Sequence, residues 1–203
     1  MTNFKNVPPL YYIRHGQTDW NAARKVQGQT DIPLNETGHG QAANIACAIK
    51  LIEPDVSKFK IYASPLTRVR ETLSYVLKEY GIDDSVVTFD DRLREVSFGD
   101  REGSTWPELN ADGIEPRKDP EAYFHWCPAN GESYADAAER VKSWLGEVEG
   151  PSIIVAHGGI SRILRGILAG QSGAEFIGLK VPQTKFFKVE NGEVEWFKAE
   201  PVS

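Results

Sequence analysis

Hydrophobic residues fall into two alternating patterns along this chain of 203 residues. Short apolar runs predict β-strands, and the run Ser152–Ala156 is almost entirely apolar, which is typical of a strand covered on both faces. Between these runs, apolar residues recur every three or four positions, which predicts amphipathic helices. The predicted strands are 10–14, 59–63, 86–89 and 152–156, and the predicted helices are 36–52, 66–80, 134–148 and 160–168.

Two further predicted strands, 185–190 and 193–198, lie on either side of Asn191-Gly192. An Asn-Gly pair is the strongest short signal for a β-hairpin, because a type I′ turn needs positive φ at both central residues. The resulting register places Phe187 opposite Trp196. Strand–helix alternation followed by a hairpin predicts the α/β fold class: a three-layer α/β/α sandwich with a mostly parallel central sheet and a C-terminal antiparallel hairpin at its edge.

The sequence contains no internal repeat, low-complexity tract or linker, so we predict a single domain over residues 1–203. Residues 97–130 are the exception to the alternating pattern. They are rich in Gly, Pro, Trp and charge, and they signal only one short helix, at Asp119-Pro120. Because a long irregular segment in a compact domain usually has a function, we expect residues 97–130, the cap segment, to cover the site.

Composition and charge exclude several classes of function. The chain has 23 Lys and Arg against 29 Asp and Glu, so its formal net charge is −6. Such a chain is a poor candidate for binding nucleic acid or an anionic membrane, although a local arginine cluster could still bind a small anion. Two cysteines make no disulfide framework or zinc cluster, and no apolar run is long enough to span a membrane. We expect a cytoplasmic protein without a cofactor and leave its oligomeric state open.

Two predicted strands each end in a histidine followed by glycine. The first strand continues into Arg14-His15-Gly16, and the fourth continues into His157-Gly158-Gly159. In open α/β sheets, ligands bind at the carboxyl ends of the strands, where glycines and helix starts present N–H groups to an anion. Two imidazoles and an arginine suit phosphate better than a metal, and the sequence has no H-x-H, HExxH or CxxC.

Six segments carry motifs in a fixed order: RHGQTDWN at 14–21, QGQTDIPL at 27–34, SPLTR at 64–68, LRE at 93–95 with FG and EG after it, GES at 131–133 and AHGG at 156–159. Together they resemble the histidine phosphatase superfamily, which has the phosphoglycerate-mutase-like fold. The resemblance covers most of the chain. The sequence lacks the E-R-H-Y-type insertion of the phosphoglycerate mutases proper, so it is more similar to the phosphatase-type branch.

The resemblance implies a metal-independent phosphomonoester hydrolase that acts on a small phosphorylated metabolite through a phosphohistidine. His15 would be the nucleophile, and Glu95 would be the general acid and then the base. His157 would stabilise charge on the phosphoryl group. Two nearby arginines would keep the nucleophile neutral, as attack on phosphorus requires. The residues implied to bind the phosphate are Arg14, Asn21, Gln27, Gly28, Arg68, His157 and Gly158, and Arg14 and Arg68 also count as catalytic.

Several alternatives stay open from the sequence. A mutase, or a binder of phosphorylated ligands without activity, could carry the same motifs, although binding alone requires neither the nucleophile nor the acid. Asp100 and Glu102 compete with Glu95 for the role of the acid. Asn21 could be a helix cap instead of a phosphate ligand. Arg101 stands where many relatives have an aromatic residue, and it could bind a second anionic group or point to water.

Overall fold

The computed structural model describes residues 7–115, 118–171 and 173–200, and these contain one mixed sheet of six strands in the order β3-β2-β4-β1-β5-β6. Strands β1 to β4 are parallel, whereas β5 runs antiparallel to β1 and pairs with β6 at the edge. The strands are β1 (Leu10–Arg14), β2 (Lys60–Ala63), β3 (Val87–Phe89), β4 (Ser152–Ala156), β5 (Lys185–Glu190) and β6 (Glu193–Lys198).

Helices cover both faces of this sheet, and β4 shows why. Its side chains alternate: Ile153 and Val155 join one buried cluster, and Ile154 and Ala156 join the other. The first cluster includes residues of α2 and α3, and the second includes residues of α6 and α7. The predicted three-layer α/β/α class is therefore confirmed. The helices are α1 (Asp19–Ala22), α2 (Glu36–Ile52), α3 (Thr67–Tyr80), α4 (Trp106–Ala111), α5 (Pro120–His125), α6 (Tyr134–Leu145), α7 (Gly158–Ala169) and α8 (Gly173–Ile177).

Several ends of the long helices lie at the residues that the sequence predicts. Helix α2 starts after Asn35, whose side chain accepts a hydrogen bond from the backbone N–H of Gly38. Helix α6 starts with a capping box between Ser133 and Asp136. Helix α3 ends at Gly81, whose φ of 65° is in the left-handed region that favours glycine. Each side-chain cap stabilises its helix by roughly 1 kcal/mol.

The C-terminal hairpin has the predicted turn and register. Asn191 and Gly192 have φ values of 53° and 81°, as a type I′ turn requires. Phe187 lies opposite Trp196, and their ring centroids are 5.0 Å apart. The aromatic pair therefore fixes the edge of the sheet on the face that also carries α6 and α7.

Several local predictions were wrong. Helix α6 ends at Leu145, three residues before the predicted end, and α7 starts at Gly158, two residues before the predicted start. The cap segment contains α4 in addition to the predicted α5, because Thr105 and Glu108 form a capping box at its start. Strand β2 begins one residue later than predicted, and β3 begins after a 3₁₀ turn over Asp84–Val86. Helix α1 was also not predicted. The described residues leave out 116 and 117 of the cap segment and 1–6, 172 and 201–203 of the predicted domain.

Candidate active site

The carboxyl ends of β1 and β4 bring the two predicted histidines together. The strands are parallel neighbours with Arg14 opposite Ala156, and the backbone N–H of His15 donates to the carbonyl of Ala156 at 3.0 Å. As a result, the rings of His15 and His157 lie edge to face with centroids 5.3 Å apart. Chemistry at this end of the sheet is what the sequence pattern predicts.

His15 is neutral and has one nitrogen free to react. Its Nδ1 lies 2.7 Å from the carbonyl oxygen of Gly16, which can only accept, so this contact assigns the proton to Nδ1 and the lone pair to Nε2. The side chain is 2% exposed. Burial, followed by the charges of Arg68 and Arg14, holds the pKa of His15 well below its ordinary value of 6.5. The ring therefore has an unprotonated Nε2 at neutral pH, as a nucleophile requires.

His157 is buried and its ring lies next to the ring of His15. It precedes α7 and is fully buried, and its Nε2 lies 2.7 Å from the hydroxyl of Ser64. The hydroxyl of Tyr12 donates to the backbone carbonyl of His157 at 2.7 Å. Burial, followed by the charges of Arg68 and His15, lowers the pKa of His157 well below 6.5. The ring is thus also neutral, and its position is fixed by contacts from β1 and from the residue that follows β2.

Two arginines of the site donate to main-chain carbonyls in the hydrogen bonds described for them. Arg14 donates to the carbonyl of Val181 at 2.6 Å, and Arg68 donates to the carbonyls of Thr30 and Gly28 at 2.9 and 2.7 Å. Burial lowers the pKa of Arg14 to about 10 and lowers the pKa of Arg68. Both guanidinium groups therefore stay protonated at neutral pH, and main-chain carbonyls hold them in fixed positions.

Glu95 lies at the N-terminus of α7. Both of its carboxylate oxygens are 3.0 Å from the backbone nitrogen of Gly159, and the backbone N–H of Val96 donates to Oε1 at 3.0 Å. A Cβ on Gly159 would lie only 2.4 Å from Oε1, so this approach requires glycine. The start of a helix favours a carboxylate at this place. Among the described residues that line the pocket, Glu95 is the only carboxylate.

The two competing acids lie elsewhere. Glu102 accepts hydrogen bonds from the backbone N–H groups of Gln29 and Thr30, both at 2.8 Å, and so shapes the loop that holds Arg68. Asp100 is exposed and accepts from the side chain of Asn130 at 3.0 Å. Neither belongs to the described lining of the pocket, so the geometry favours Glu95 over both.

Asn21 takes part in the capping of helix α1 and also lies in the pocket. It is the third residue of a capping box with Thr18, whose backbone N–H donates to Oδ1 at 3.2 Å, and it also lines the pocket. Gln183 donates to the same oxygen at 2.9 Å. Gln27 accepts from the hydroxyl of Thr18 at 2.9 Å and lines the pocket beside Asn21. These contacts leave the amide N–H groups of Asn21 for a ligand.

Eight of the nine predicted site residues line one pocket in the described part of the chain. His157, the ninth, is buried next to His15 and does not belong to this lining. The eight are Arg14, His15, Asn21, Gln27, Gly28, Arg68, Glu95 and Gly158. The sequence analysis missed Arg162, although it lies one helical turn after Gly158 and its spacing gives a signal. It also missed Tyr134 and Val181, for which no local signal exists. Arg101, whose role was open, binds Asp112 at 2.6 Å outside this pocket.

Within the described residues, no group of three or more His, Cys, Asp or Glu side chains could hold a metal ion. The same residues contain no helix that is long and apolar enough to cross a membrane. The described lining of the pocket offers imidazole, guanidinium, carboxylate, ammonium, amide and phenol groups.

An α/β sheet with a neutral histidine at a strand end suits phosphoryl transfer when two charged arginines line the same pocket. The family model of the histidine phosphatase superfamily (branch 1) matches residues 10–200. The chain therefore belongs to the histidine phosphatase superfamily, as its motifs indicate.

Relatives of known name include both phosphatases and mutases. A glucosyl-3-phosphoglycerate phosphatase from Mycobacterium tuberculosis is 34% identical over 172 residues, 78% of this chain and 74% of that protein. A 2,3-bisphosphoglycerate-dependent phosphoglycerate mutase from Bartonella tribocorum is 34% identical over 182 residues, 83% of this chain and 84% of that protein. The solved structure of mycobacterial glucosyl-3-phosphoglycerate phosphatase with VO3 has a TM-score of 0.77 at 28% identity, covering 94% of this chain and 97% of that chain.

Proposed function

We propose that this protein is a metal-independent phosphomonoester hydrolase that forms a phosphohistidine at His15. The observation that carries the proposal is the state of the ring. The carbonyl of Gly16 holds the proton on Nδ1, and burial beside Arg68 and Arg14 keeps the ring neutral. Nε2 therefore has a lone pair next to two groups that bind phosphoryl oxygens. The phosphatase among the relatives supports the same reaction class.

In the first step, Arg14 and Arg68 bind the equatorial phosphoryl oxygens, where negative charge accumulates in the transition state. Nε2 of His15 attacks phosphorus, so that an N–P bond forms while the bond from phosphorus to the ester oxygen breaks. Protonated Glu95 gives its proton to the departing oxygen, and the alcohol leaves. The Nδ1 proton stays on the ring at the Gly16 carbonyl, which stabilises the positive charge of the phosphorylated imidazole.

In the second step, the carboxylate of Glu95 takes a proton from water, and the water oxygen attacks phosphorus. The N–P bond breaks, its electron pair returns to Nε2, and inorganic phosphate leaves. Glu95 is then protonated for the next cycle, as microscopic reversibility requires of one group that acts first as acid and then as base. The backbone N–H groups of Gly159 and Val96 position this carboxylate through both steps.

The remaining site residues have binding and supporting roles in this proposal. We assign the amide of Asn21, the side chain of Gln27 and the backbone at Gly28 and Gly158 to phosphate binding, because all of them line the pocket. His157 stabilises phosphoryl charge through its place beside the nucleophile, 5.3 Å between ring centroids. It acts from behind the pocket surface.

The size of the pocket and its outer wall support a small substrate. The cavity measures about 170 Å³, below the range of roughly 300–1,000 Å³ that is common for ligand pockets. Phe98 and Trp106 of the cap segment belong to its lining, which supports the proposal that residues 97–130 form a cap within a single domain. Unpaired thiols at Cys47 and Cys127 support a cytoplasmic location.

A mutase is the second candidate, because a mutase is as similar to this chain as the phosphatase is. The test supplies 3-phosphoglycerate with and without 2,3-bisphosphoglycerate, in excess EDTA, and follows 2-phosphoglycerate and free phosphate together. We expect phosphate release to exceed interconversion and to survive chelation. Faster interconversion would make the protein a mutase, and failure to hydrolyse p-nitrophenyl phosphate as well would favour a binder without activity.

A further inference from the structure

Arg162 is a pocket arginine to which the proposed reaction gives no role. It lies on α7 four residues after Gly158, about 6 Å along the helix axis. Its Nε donates to the carbonyl of Leu179 at 2.9 Å, and its Nη1 donates to the hydroxyl of Tyr134 at 3.4 Å. Neither contact uses Nη2, and the side chain belongs to the lining of the pocket. The guanidinium is therefore positioned by neutral groups at a second place in the same cavity.

Arg70 and Arg165, outside the pocket, also donate to carbonyls, but each lies over an aromatic ring. Other arginines outside the pocket are held by carboxylates. Arg92 binds Glu147 at 2.7 Å, and Arg101 binds Asp112 at 2.6 Å. Arg140 binds a glutamate as well. These carboxylates neutralise the charges that they hold. The partners of Arg162 are a carbonyl and a hydroxyl, and those of Arg14 and Arg68 are carbonyls. The positive charge of Arg162 therefore remains available to a ligand.

The charges that line the pocket exceed what one phosphoryl group balances. Among the described lining residues, four are cationic and one is a carboxylate. They are Arg14, Lys25, Arg68 and Arg162, and Glu95. The histidine in the lining is neutral, because its pKa is lowered. A phosphomonoester carries a charge of about −2. Glu95 is protonated when the ester binds in the proposed reaction, so the three arginines leave one positive charge uncompensated even without Lys25, which is exposed. A second anionic group on the substrate would balance it.

We infer that Arg162 binds a carboxylate on the alcohol part of the substrate, so that the substrates are phosphate esters of hydroxy acids. This inference rests on the proposed phosphatase function. A planar guanidinium matches a carboxylate in two parallel hydrogen bonds, which an ammonium group does not. Leu179 and Tyr134 hold the guanidinium in place, and Trp106 provides an apolar wall for the carbon atoms between phosphate and carboxylate.

The test uses two matched pairs of substrates that differ in the carboxylate. The first pair is 3-phosphoglycerate and glycerol 3-phosphate, and the second is phosphoserine and phosphoethanolamine. For the wild type we expect kcat/KM to be about 10- to 100-fold higher for the carboxylate member of at least one pair, the range of a hydrogen bond to a charged group. Arg162→Gln should reduce that ratio to near one, mainly through KM. Arg101→Gln is the matched control and should keep the wild-type ratio.

Two results would overturn the inference. The first is a wild-type ratio near one in both pairs, or no turnover of either carboxylate ester. The second is a wild-type ratio that survives in Arg162→Gln. If Arg162→Gln does not fold, Arg162→Lys replaces it, and the ratio should still fall because the paired hydrogen bonds are lost. Hydrolysis of p-nitrophenyl phosphate by the wild type separates the two proposals. If that activity is present without a carboxylate preference, only the role of Arg162 fails.

Discussion

The strand-end loops, residues 14–16 and 157–159, are held in a different way from the cap segment. The loops are fixed by buried main-chain contacts, such as the 3.0 Å bond from the N–H of His15 to Ala156. The cap segment is fixed by exposed ion pairs and by aromatic contacts; the side chains of Arg101 and Asp112 are 42% and 45% exposed. Exposed pairs contribute little stability. The cap segment is therefore held mainly by its buried side chains, such as Leu109 and Tyr123.

Glycines show that the cap segment is not uniform. A Cβ on Gly16 in the strand-end loops would lie 2.4 Å from the carbonyl oxygen of Gly38, so no side chain fits there. In the cap segment, a Cβ on Gly99 would lie 2.1 Å from the carbonyl oxygen of Ala129, whereas Gly113 has nothing within 4 Å of a Cβ, although its φ of 83° still favours glycine. We expect substitutions in the strand-end loops to disturb the chemistry directly, whereas exposed positions of the cap segment should tolerate change.

The largest expected effect comes from removing the proton that Glu95 donates. Glu95 is bound to the strand-end loops by Gly159 although it precedes the cap segment. Glu95→Gln keeps the shape of the side chain and should slow hydrolysis of alkyl phosphates by about 10²- to 10⁴-fold, the usual contribution of a general acid. It should slow p-nitrophenyl phosphate far less, because that leaving group needs little protonation. Steady-state kinetics on both substrates measure the difference.

The matched control is Asp100→Asn, which changes an exposed carboxylate of the cap segment. It should leave both rates within about twofold of the wild type, as is usual for surface substitutions. Equal slowing of both substrates by Glu95→Gln would show that Glu95 binds the substrate rather than protonates it. A large effect of Asp100→Asn would indicate that the acid lies in the cap segment. The stated difference between the strand-end loops and the cap segment would then be wrong.

A smaller effect concerns pH and stability. The pKa of buried His157 lies below 6.5, so the unfolded chain binds more protons than the folded one once the pH falls below about 6.5. The free energy of unfolding should therefore fall as the pH falls, by about 1.4 kcal/mol per pH unit for each such histidine, until the lowered pKa is reached. Above that window the effect should vanish. Urea unfolding from about pH 8 to about pH 5 measures it.

The variants His157→Asn and His125→Asn compare the two regions. His125 is an exposed residue of the cap segment. We expect His157→Asn to lose less stability than the wild type as the pH falls, because one buried imidazole has been removed. His125→Asn should follow the wild-type pH dependence. The same slope in all three proteins would contradict the account of the buried histidine.

The sequence predicts most of the fold because its signals are local. Asn191-Gly192 carries its own turn, and Ser133 with Asp136 carries its own helix start, so both could be read without knowing the rest of the molecule. Helix α4 also had a local signal, in Thr105 and Glu108, but its helix is only 6 residues long and shows no clear apolar period. Short capped helices are therefore the elements that hydrophobic periodicity does not predict.

The residues of the site also fall into those that a local signal predicts and those that it does not. Residues beside strand ends, such as His15, are predictable because sheet topology places them. Val181 and Tyr134 reach the pocket from distant parts of the chain, and tertiary packing alone decides that they meet Arg14 and Arg162. Pocket residues far from the strand ends were thus harder to predict than residues beside them.

The most direct test of the central claim is to trap the phosphorylated enzyme. The protein is mixed with a radiolabelled phosphomonoester, quenched during turnover and digested. The account predicts a label that is labile in acid and stable in alkali, on the peptide that contains His15, in the wild type and in the control His125→Asn but not in His15→Asn. An acid-stable label on a serine, or hydrolysis by a folded His15→Asn protein, would contradict it.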